Sequence, residues 1–213
     1  MFYEPAQGHG LEQDPFKSLV VPRPIGWITT LDSEGRVNLA PYSYFNAVAD
    51  DPPAVMFSSS AGEASDRKKD SWRNVEATGE FVFNLATWEL REEVNQTSDH
   101  VPSDVDEAAL AGLDMIPSRL VKPPRVARSP VHLECRWLKT VIVPQNDGYA
   151  PGDTGLVLGE VVGVHISETI MANGRVDLSR IRPIARLGYA QYAVVDSLFR
   201  MVPPWVKGDP GKV

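Results

Sequence analysis

The sequence lacks several features that would point to a secreted or membrane protein. Its 213 residues include one cysteine, Cys135, which excludes a disulfide bond within the chain and fits a reducing compartment. No run approaches the roughly 18 apolar residues that a membrane helix needs. The first residues, MFYEP, carry no basic segment followed by an apolar one, so no signal peptide is predicted. We therefore expect a soluble, cytoplasmic protein with no membrane partner.

Positive charge and the common motifs for nucleotides and metals are also scarce. The chain has 21 Lys and Arg against 28 Asp and Glu, a net charge of −7. Nonspecific nucleic-acid binders present a basic surface, so this balance argues against nucleic acid as a partner. Walker A, GxGxxG and GxSxG patterns are absent, and the four histidines show neither HExxH nor Cys-His spacing. These absences argue against a dedicated nucleotide fold, a serine nucleophile and a zinc site.

The composition that is present is typical of one globular domain. Apolar residues make up 43% and charged residues 23% of the chain. The length predicts a single domain over residues 1–213, since domains hold roughly 100–200 residues. Residues 1–20 are polar and predict an arm or a short helix. Residues 200–213 are rich in Pro and Gly and predict an extended tail.

Hydrophobic periodicity predicts many strands with helices inserted in the middle of the chain. The predicted strands are Ile25–Leu31, Val37–Ala40, Ala54–Ser59, Glu80–Leu85, Val131–Val143, Leu156–Ile166 and Tyr189–Val195. The predicted helices are Ser65–Thr78, ended by Gly79, and two pieces between Thr87 and Gly112 that open at Thr87 and Ser103. This order predicts a mainly β, closed architecture with helical decoration.

The long run Val131–Val143 alternates as a strand with one buried face does. The alternation places Cys135 on the buried face, where a thiol is inert core, and it turns His132 outward to the surface or an interface. Both assignments depend on the assumption that only one face of the strand is covered.

The segment after residue 65 combines positive charge with hydroxyl and amide groups. Arg67, Ser71 and Asn74 are spaced to share one face of the helix predicted over Ser65–Thr78, and Lys69 lies in its first turn. Unpaired N–H groups and the helix dipole make such a terminus favourable for phosphate. The alternative interpretation is a solvated basic face at a helix start.

Residues 25–43 predict a β-hairpin that ends close to a ligand. Asp32-Ser33-Glu34-Gly35 supplies the turn, and Pro41 is expected to end the returning strand because proline has no N–H to donate. The backbone at Ala40–Ser43 would then leave the sheet and be free to face a ligand. The alternative is a simple hairpin with threonines in the core.

Five motifs in one order carry a family resemblance. They are PRPIGWITT, GxxNLAPYSYFN, DPPAVMFS, KDSWRNV and TGEFVFNL, and they run from about Pro22 to Leu85. This order is similar to the flavin reductase-like FMN-binding proteins, the flavoredoxin group. The resemblance implies a Greek-key FMN-binding split barrel with inserted helices, and a homodimer that binds FMN non-covalently near its interface. The apolar run Tyr189–Val195 and Trp205 offer surface for that interface.

The resemblance also assigns binding residues. It places the FMN phosphate against Lys69, Asp70, Ser71 and Asn74, with Arg67 upstream. Ser71 stands where the family more often has Thr, and the hydroxyl is kept.

The flavin ring is assigned to the predicted hairpin. Small side chains and backbone groups there let a flat ring approach closely, and the residues implied are Thr29, Thr30, Ala40, Pro41, Tyr42 and Ser43. Trp27 lies beside them. Ser58, Ser59 and Ser60 end a strand and either reach the ribityl chain or phosphate, or only cap the loop.

The function that the resemblance implies is a flavin reductase that moves hydride from NAD(P)H to flavin and on to an acceptor. NAD(P)H would bind transiently, and a redox partner protein is compatible with this chemistry. No side-chain acid or base is expected, because the cofactor supplies the reactive centre. Two alternatives stay open: an FMN-binding electron carrier or flavin store without its own NAD(P)H oxidation, and a binding module that kept the barrel and lost the ligand.

Overall fold

The computed structural model describes residues 1–60, 68–144 and 154–205. The strands in these residues are β1 Arg23–Pro24, β2 Gly26–Leu31, β3 Val37–Tyr42, β4 Phe45–Asp50, β5 Pro53–Ser59, β6 Glu80–Leu85, β7 Met115–Ile116, β8 Arg125–Val126, β9 Val131–Val143, β10 Thr154–Ile166, β11 Met171–Ala172, β12 Arg175–Val176, β13 Ile184–Arg186 and β14 Tyr192–Val194. The helices are α1 Phe16–Leu19, α2 Asp70–Thr78, α3 Arg91–Gln96 and α4 Glu107–Leu110, with 3-10 turns at Pro5–Gln7, Trp88–Leu90, Glu168–Ile170 and Leu178–Arg180.

The main sheet is antiparallel and has seven strands in the order β3-β2-β6-β9-β10-β5-β4. Its two outermost strands, β3 and β4, are consecutive in the chain and are joined only by Ser43 and Tyr44. The backbone N–H of Ser58 on β5 donates to the Tyr44 carbonyl at 2.8 Å, so the link is tied to the far side of the sheet. The sheet therefore curves back on itself, which confirms the predicted mainly β split barrel.

The two faces of this sheet bury two separate cores. The inner face packs against α2, and its buried core is Ile28, Tyr42, Phe45, Val55, Phe57, Trp72, Val75, Phe81, Phe83, Cys135 and Val157. The outer face is covered by the segment that holds α3, α4 and β8, and its buried core is Ile25, Trp27, Leu39, Ala86, Leu90, Val94, Ala108, Leu113, Val126 and Ile184. Because successive strand residues point to opposite faces, neighbours in sequence belong to different cores.

A close approach of backbone and ring fixes α2 on the inner face. Trp72 lies directly over Gly155 of β10, where a Cβ atom would come within 2.5 Å of the indole ring. Only glycine leaves room for this contact. The helix is thereby held with its first turn near the joint between β3 and β5.

The predicted end of the second strand is wrong. β3 continues through Pro41 to Tyr42, and Pro41 is paired in register with Trp27 of β2. Proline is tolerated because β3 is an edge strand of the sheet, so no neighbour on its free side needs the missing N–H. β4 was not predicted from the sequence. Every residue from Asn46 to Asp50 is exposed, so no hydrophobic alternation marks the strand.

Two predicted helices begin later than predicted, whereas Thr87 is the N-cap of the 3-10 turn Trp88–Leu90 that leads into α3, which confirms that predicted start. α2 begins at Asp70, because Lys69 is extended with φ −69° and ψ 154°; Ser65 lies outside the described residues. Gly79 ends the helix as predicted, with φ 76° and its N–H donating to the Val75 carbonyl. α4 opens at Asp106, whose carboxylate accepts from the Ala109 N–H, and not at Ser103.

The outward orientation predicted for His132 is also wrong. His132 is only 4% exposed, and its Nε2 donates to the Val126 carbonyl at 2.8 Å. Glu134, two residues on, is fully buried and accepts from the N–H groups of Arg119 and Leu120 at 2.8 and 2.6 Å. The segment around β7 and β8 covers this side of β9, so both faces of its first half are buried.

Cys135 is buried on the inner face as predicted, and desolvation raises the pKa of its thiol. The last strand, β14, is shorter than the predicted run Tyr189–Val195 because Tyr189 adopts a left-handed φ of 54° in a turn. Among the described residues, no helix has the length and apolar character that a membrane span requires.

Candidate functional site

The N-terminus of α2 brings charged and polar residues to the inner side of the barrel. Its N-cap residue, Lys69, provides no side-chain acceptor for the N–H groups of the first turn. Those groups have no partner within the helix, and the dipole gives this end partial positive charge. An anion placed there gains hydrogen bonds and favourable electrostatic energy.

The cations near this terminus are not equivalent. Lys68 forms an ion pair with Glu76, and Arg73 forms one with Asp70. Lys69, by contrast, has no ion-pair partner among the described residues. It is half-buried, and it is the lysine or arginine without an ion pair at this terminus within residues 68–78. Arg67, assigned to the same phosphate, lies outside the described residues.

Buried polar side chains underlie the first two turns of α2. Ser71 is 1% exposed, and its Oγ accepts from Nδ2 of Asn38 at 2.8 Å. Asn74, one turn later, donates through Nδ2 to Oγ1 of Thr30 at 3.1 Å. Together with Tyr42 and Ser59, these residues form a group that we call the inner polar cluster. Its members are Thr30, Asn38, Tyr42, Ser59, Ser71 and Asn74.

Tyr42 and Ser59 complete the inner polar cluster from β3 and β5. Burial of the Tyr42 phenol raises its pKa to about 12, although hydrogen bonding with the side chains of Ser71 and Ser59 opposes the rise. The phenol is therefore neutral at physiological pH and keeps its proton as a hydrogen-bond donor. The Ser59 hydroxyl donates in turn to the Ser60 carbonyl at 3.3 Å.

The structure separates three of the predicted ring-lining residues from this cluster. Trp27 is fully buried in the outer core, and its Nε1 donates to Oγ1 of Thr97 at 2.9 Å. Thr29 is on the same face, where its Oγ1 accepts from Nδ2 of Asn84 at 2.8 Å. Pro41 follows the same alternation. Thr29 and Thr30 thus present their side chains on opposite faces, a consequence of the period of two in a strand.

The remaining predicted residues lie near the joint between the two edges of the barrel. Ala40 is half-buried and packs against the inner core. Ser43 is half-buried in the link between β3 and β4, and Ser58 is tied to that link through its backbone N–H. Ser60 follows β5 and is exposed.

Three residues at the site were not assigned from the sequence. Asn38 bonds Ser71, and Ser103 donates to Oδ1 of Asp70 at 2.9 Å. Glu107 accepts from the Leu39 N–H at 3.1 Å, and desolvation raises the pKa of its carboxyl group. Asn38 is part of the NLAPYS motif, which could have flagged it. Ser103 and Glu107 reach the site only through tertiary contacts, so no local signal marks them.

A cleft of about 160 Å³ runs between the β2–β3 turn and α2. Its lining includes Asn38, Asp70 and Asn74 but none of the residues from Ala40 to Ser43. Ligand pockets usually measure roughly 300–1,000 Å³. A second cleft of about 390 Å³ lies between the same turn and the end of α2 and reaches Lys122 and Pro123. Neither cleft includes the residues from Ala40 to Ser43, so these clefts do not coincide with the predicted ring site.

Comparisons with known proteins agree on one family. The model of the flavin reductase-like domain matches residues 18–190. A protein of Aquifex aeolicus is 38% identical over 175 residues, which cover 82% of this chain and 85% of the relative. The crystal structure of nitrilotriacetate monooxygenase component B from Bacillus cereus has a TM-score of 0.85 at 29% identity and covers 94% of this chain and 98% of that one.

A Shewanella frigidimarina structure described by its split barrel domain shares the fold, with a TM-score of 0.75 at 23% identity. It covers 88% of this chain and 89% of that one. The family model spans most of the chain, and the split barrel is the architecture that the sheet order shows. The chain belongs to the flavin reductase-like domain family.

Proposed function

We propose that the protein binds FMN and is an oxidoreductase that accepts hydride from NAD(P)H and delivers electrons to a second acceptor. The observation that carries the proposal is the N-terminus of α2, whose N-cap residue Lys69 makes no side-chain cap hydrogen bond and has no ion-pair partner among the described residues. These groups match a phosphate in charge and in hydrogen-bond donors. Bound FMN would supply the redox chemistry, so the chain needs to provide position and electrostatic field.

The residues around the terminus fit a phosphorylated flavin. The first-turn N–H groups, the Lys69 ammonium group and the Ser71 hydroxyl would hold the phosphate. Ala40 has a small side chain beside the inner core, which leaves room for a flat ring against β3. The Tyr42 phenol is neutral at physiological pH and can orient a bound group without adding charge.

A second copy of the chain would complete the pocket. The two clefts described above leave out the residues from Ala40 to Ser43, and apolar side chains near the C-terminus are exposed, with Tyr189 at 50% and Trp205 at 78%. Such side chains are suited to burial in a homodimer interface. Light scattering at micromolar concentration should give twice the chain mass of 23.4 kDa, and a monomer mass would contradict the dimer.

The test of the proposed function uses the purified full chain. Titrations with FMN and riboflavin report whether the phosphate contributes to binding, and NADH and NADPH oxidation is followed with FMN present. We expect tighter binding of FMN than of riboflavin, together with steady-state oxidation. FMN binding without oxidation would leave the electron-carrier function in place of the reductase. No binding of FMN would overturn the proposal.

A further inference from the structure

We propose that Asn38 is a positioning residue that makes the Ser71 hydroxyl a hydrogen-bond donor toward phosphate and so selects phosphorylated flavin. The inference rests on the proposed FMN site at the start of α2. It concerns a residue that does not itself need to touch the ligand. The role follows from two features. The first is the direction of the Asn38–Ser71 hydrogen bond, and the second is the position of Ser71 in the first turn of α2.

The Asn38–Ser71 bond fixes which part of the serine hydroxyl is available. Asn38 is 9% exposed on the inner face of β3, and its Nδ2 donates to Oγ of Ser71 at 2.8 Å. Because the serine oxygen accepts from the amide, its own hydrogen is directed away from Asn38. Ser71 is the second residue of α2, so its hydroxyl belongs to the same first turn as the N–H groups that have no intrahelical partner.

The Tyr42 phenol is a weaker acceptor for the Ser71 hydroxyl hydrogen than a phosphate is. Tyr42 is buried next to Ser71 and Ser59 and is neutral at physiological pH. A neutral phenol oxygen is a poorer acceptor than a charged phosphate oxygen, since hydrogen bonds to ionised acceptors are roughly twice as strong. Phosphate therefore takes the Ser71 hydrogen when it arrives, and the phenol accepts it when the site holds no anion.

A second asparagine shows what a purely structural arrangement looks like in the same sheet. Asn84 donates to Oγ1 of Thr29 and to the Trp27 carbonyl, and its Oδ1 accepts from the Val126 N–H at 2.8 Å. Each of these partners is buried in the outer face, and the network closes on itself. The Asn38 network instead ends at Ser71 in the first turn of α2, where the N-cap residue Lys69 makes no side-chain cap hydrogen bond.

The experiment measures FMN and riboflavin dissociation constants for the full chain. Asn38→Ala should weaken FMN about tenfold and riboflavin less than about twofold, because only FMN offers the phosphate acceptor. Ser71→Ala should behave the same way. The double variant should be no weaker than Ser71→Ala alone, since Asn38 acts through Ser71. Ser129→Ala removes a buried hydroxyl that donates to the Leu85 and Val131 carbonyls away from the proposed site, and it should leave both ligands unchanged.

Asn38→Asp serves as an isosteric variant if alanine prevents folding. Its carboxylate accepts the Ser71 hydrogen and adds negative charge, so the loss of FMN affinity should exceed that of Asn38→Ala while riboflavin binding is retained. Equal losses for FMN and riboflavin, or additive effects in the double variant, would overturn the positioning role. Wild-type protein that binds the two flavins equally would instead overturn the phosphate site on which the proposed function depends.

Discussion

Two buried asparagines, Asn84 and Asn38, lie on opposite faces of one sheet, and each donates to a hydroxyl at 2.8 Å. Asn84 also reaches the Trp27 carbonyl and accepts from the Val126 N–H, so its hydrogen bonds join three chain segments. Within the described part of the chain, the side chain of Asn38 bonds only Ser71 at the start of α2. On the outer face an asparagine therefore completes an internal hydrogen-bond network, whereas on the inner face an asparagine bonds a residue at the proposed ligand site.

The difference shows how buried polar groups divide between stability and function. A polar group whose partners are all internal offsets its own desolvation and specifies the packing around it. A polar group that leads to an unpartnered helix terminus leaves donors available to a ligand. The outer face has one exception, because Nδ1 of His132 is buried without a partner among the described residues.

The largest expected effect is on stability at the outer face. Asn84→Ala should lower the free energy of unfolding by about 3 kcal/mol, because three hydrogen bonds are lost and buried partners are left unsatisfied. Asn38→Ala should lower it by about 1 kcal/mol for a single bond. Urea unfolding followed by circular dichroism measures both. Equal losses would remove the distinction between the two faces.

The buried histidine of the outer face predicts a pH dependence of stability. Desolvation lowers the pKa of His132 to about 4, and the bond to Val126 only partly opposes this shift. The unfolded chain binds a proton near pH 6.5 and the folded chain only near pH 4, so unfolding is favoured as the pH falls between these values. The shift corresponds to a loss of about 3 kcal/mol.

His132→Gln sharpens this prediction, because glutamine keeps an N–H donor and cannot gain charge. Its stability should change less than that of the wild type between pH 6.5 and pH 4. The matched control is His100→Gln at an exposed position, which should keep the wild-type slope. The interpretation fails if the His132 variant keeps that slope as well.

At the inner face, two adjacent lysines provide a matched pair. Lys69→Ala should weaken FMN binding by about 1.5–3 kcal/mol, the range for a hydrogen bond to a charged group, and should leave riboflavin nearly unchanged. Lys68→Ala should have a smaller effect on FMN, because Lys68 is engaged with Glu76. Fluorescence titrations measure the affinity of both variants for FMN and riboflavin. An equal loss of FMN affinity in the two variants would count against Lys69 as the phosphate ligand.

The smallest expected effect concerns access to the proposed ring site. Ala40→Leu adds bulk to the inner side of β3 and should slow NAD(P)H-dependent turnover about tenfold, equivalent to about 1.4 kcal/mol in the barrier, with FMN binding retained or moderately weakened. Reduction by dithionite needs no docking site and should be unaffected. Ala47→Leu on the exposed strand β4 is the control. A slower dithionite reaction in Ala40→Leu would point to a distorted site instead.

The sequence predicted the elements whose signals are local. The strands around residues 26–31, 80–85 and 131–143 carry β-forming side chains, and Gly79 marks a helix end that requires positive φ. The edge strand β4 was missed because an exposed edge has no buried face to impose a pattern. The start of α2 was placed too early because its N-cap, Lys69, is not a residue that signals a cap.

The sequence by itself determined the family, the order of the main strands and the identity of the groups at the start of α2. The tertiary structure alone decided which of those groups meet. It separated Thr29 from Thr30, buried His132 under the segment around β7 and β8, and brought Asn38 to Ser71, 33 residues away. The physical reason is that periodicity fixes the direction of a side chain, whereas burial and partnership depend on which distant segment covers that face.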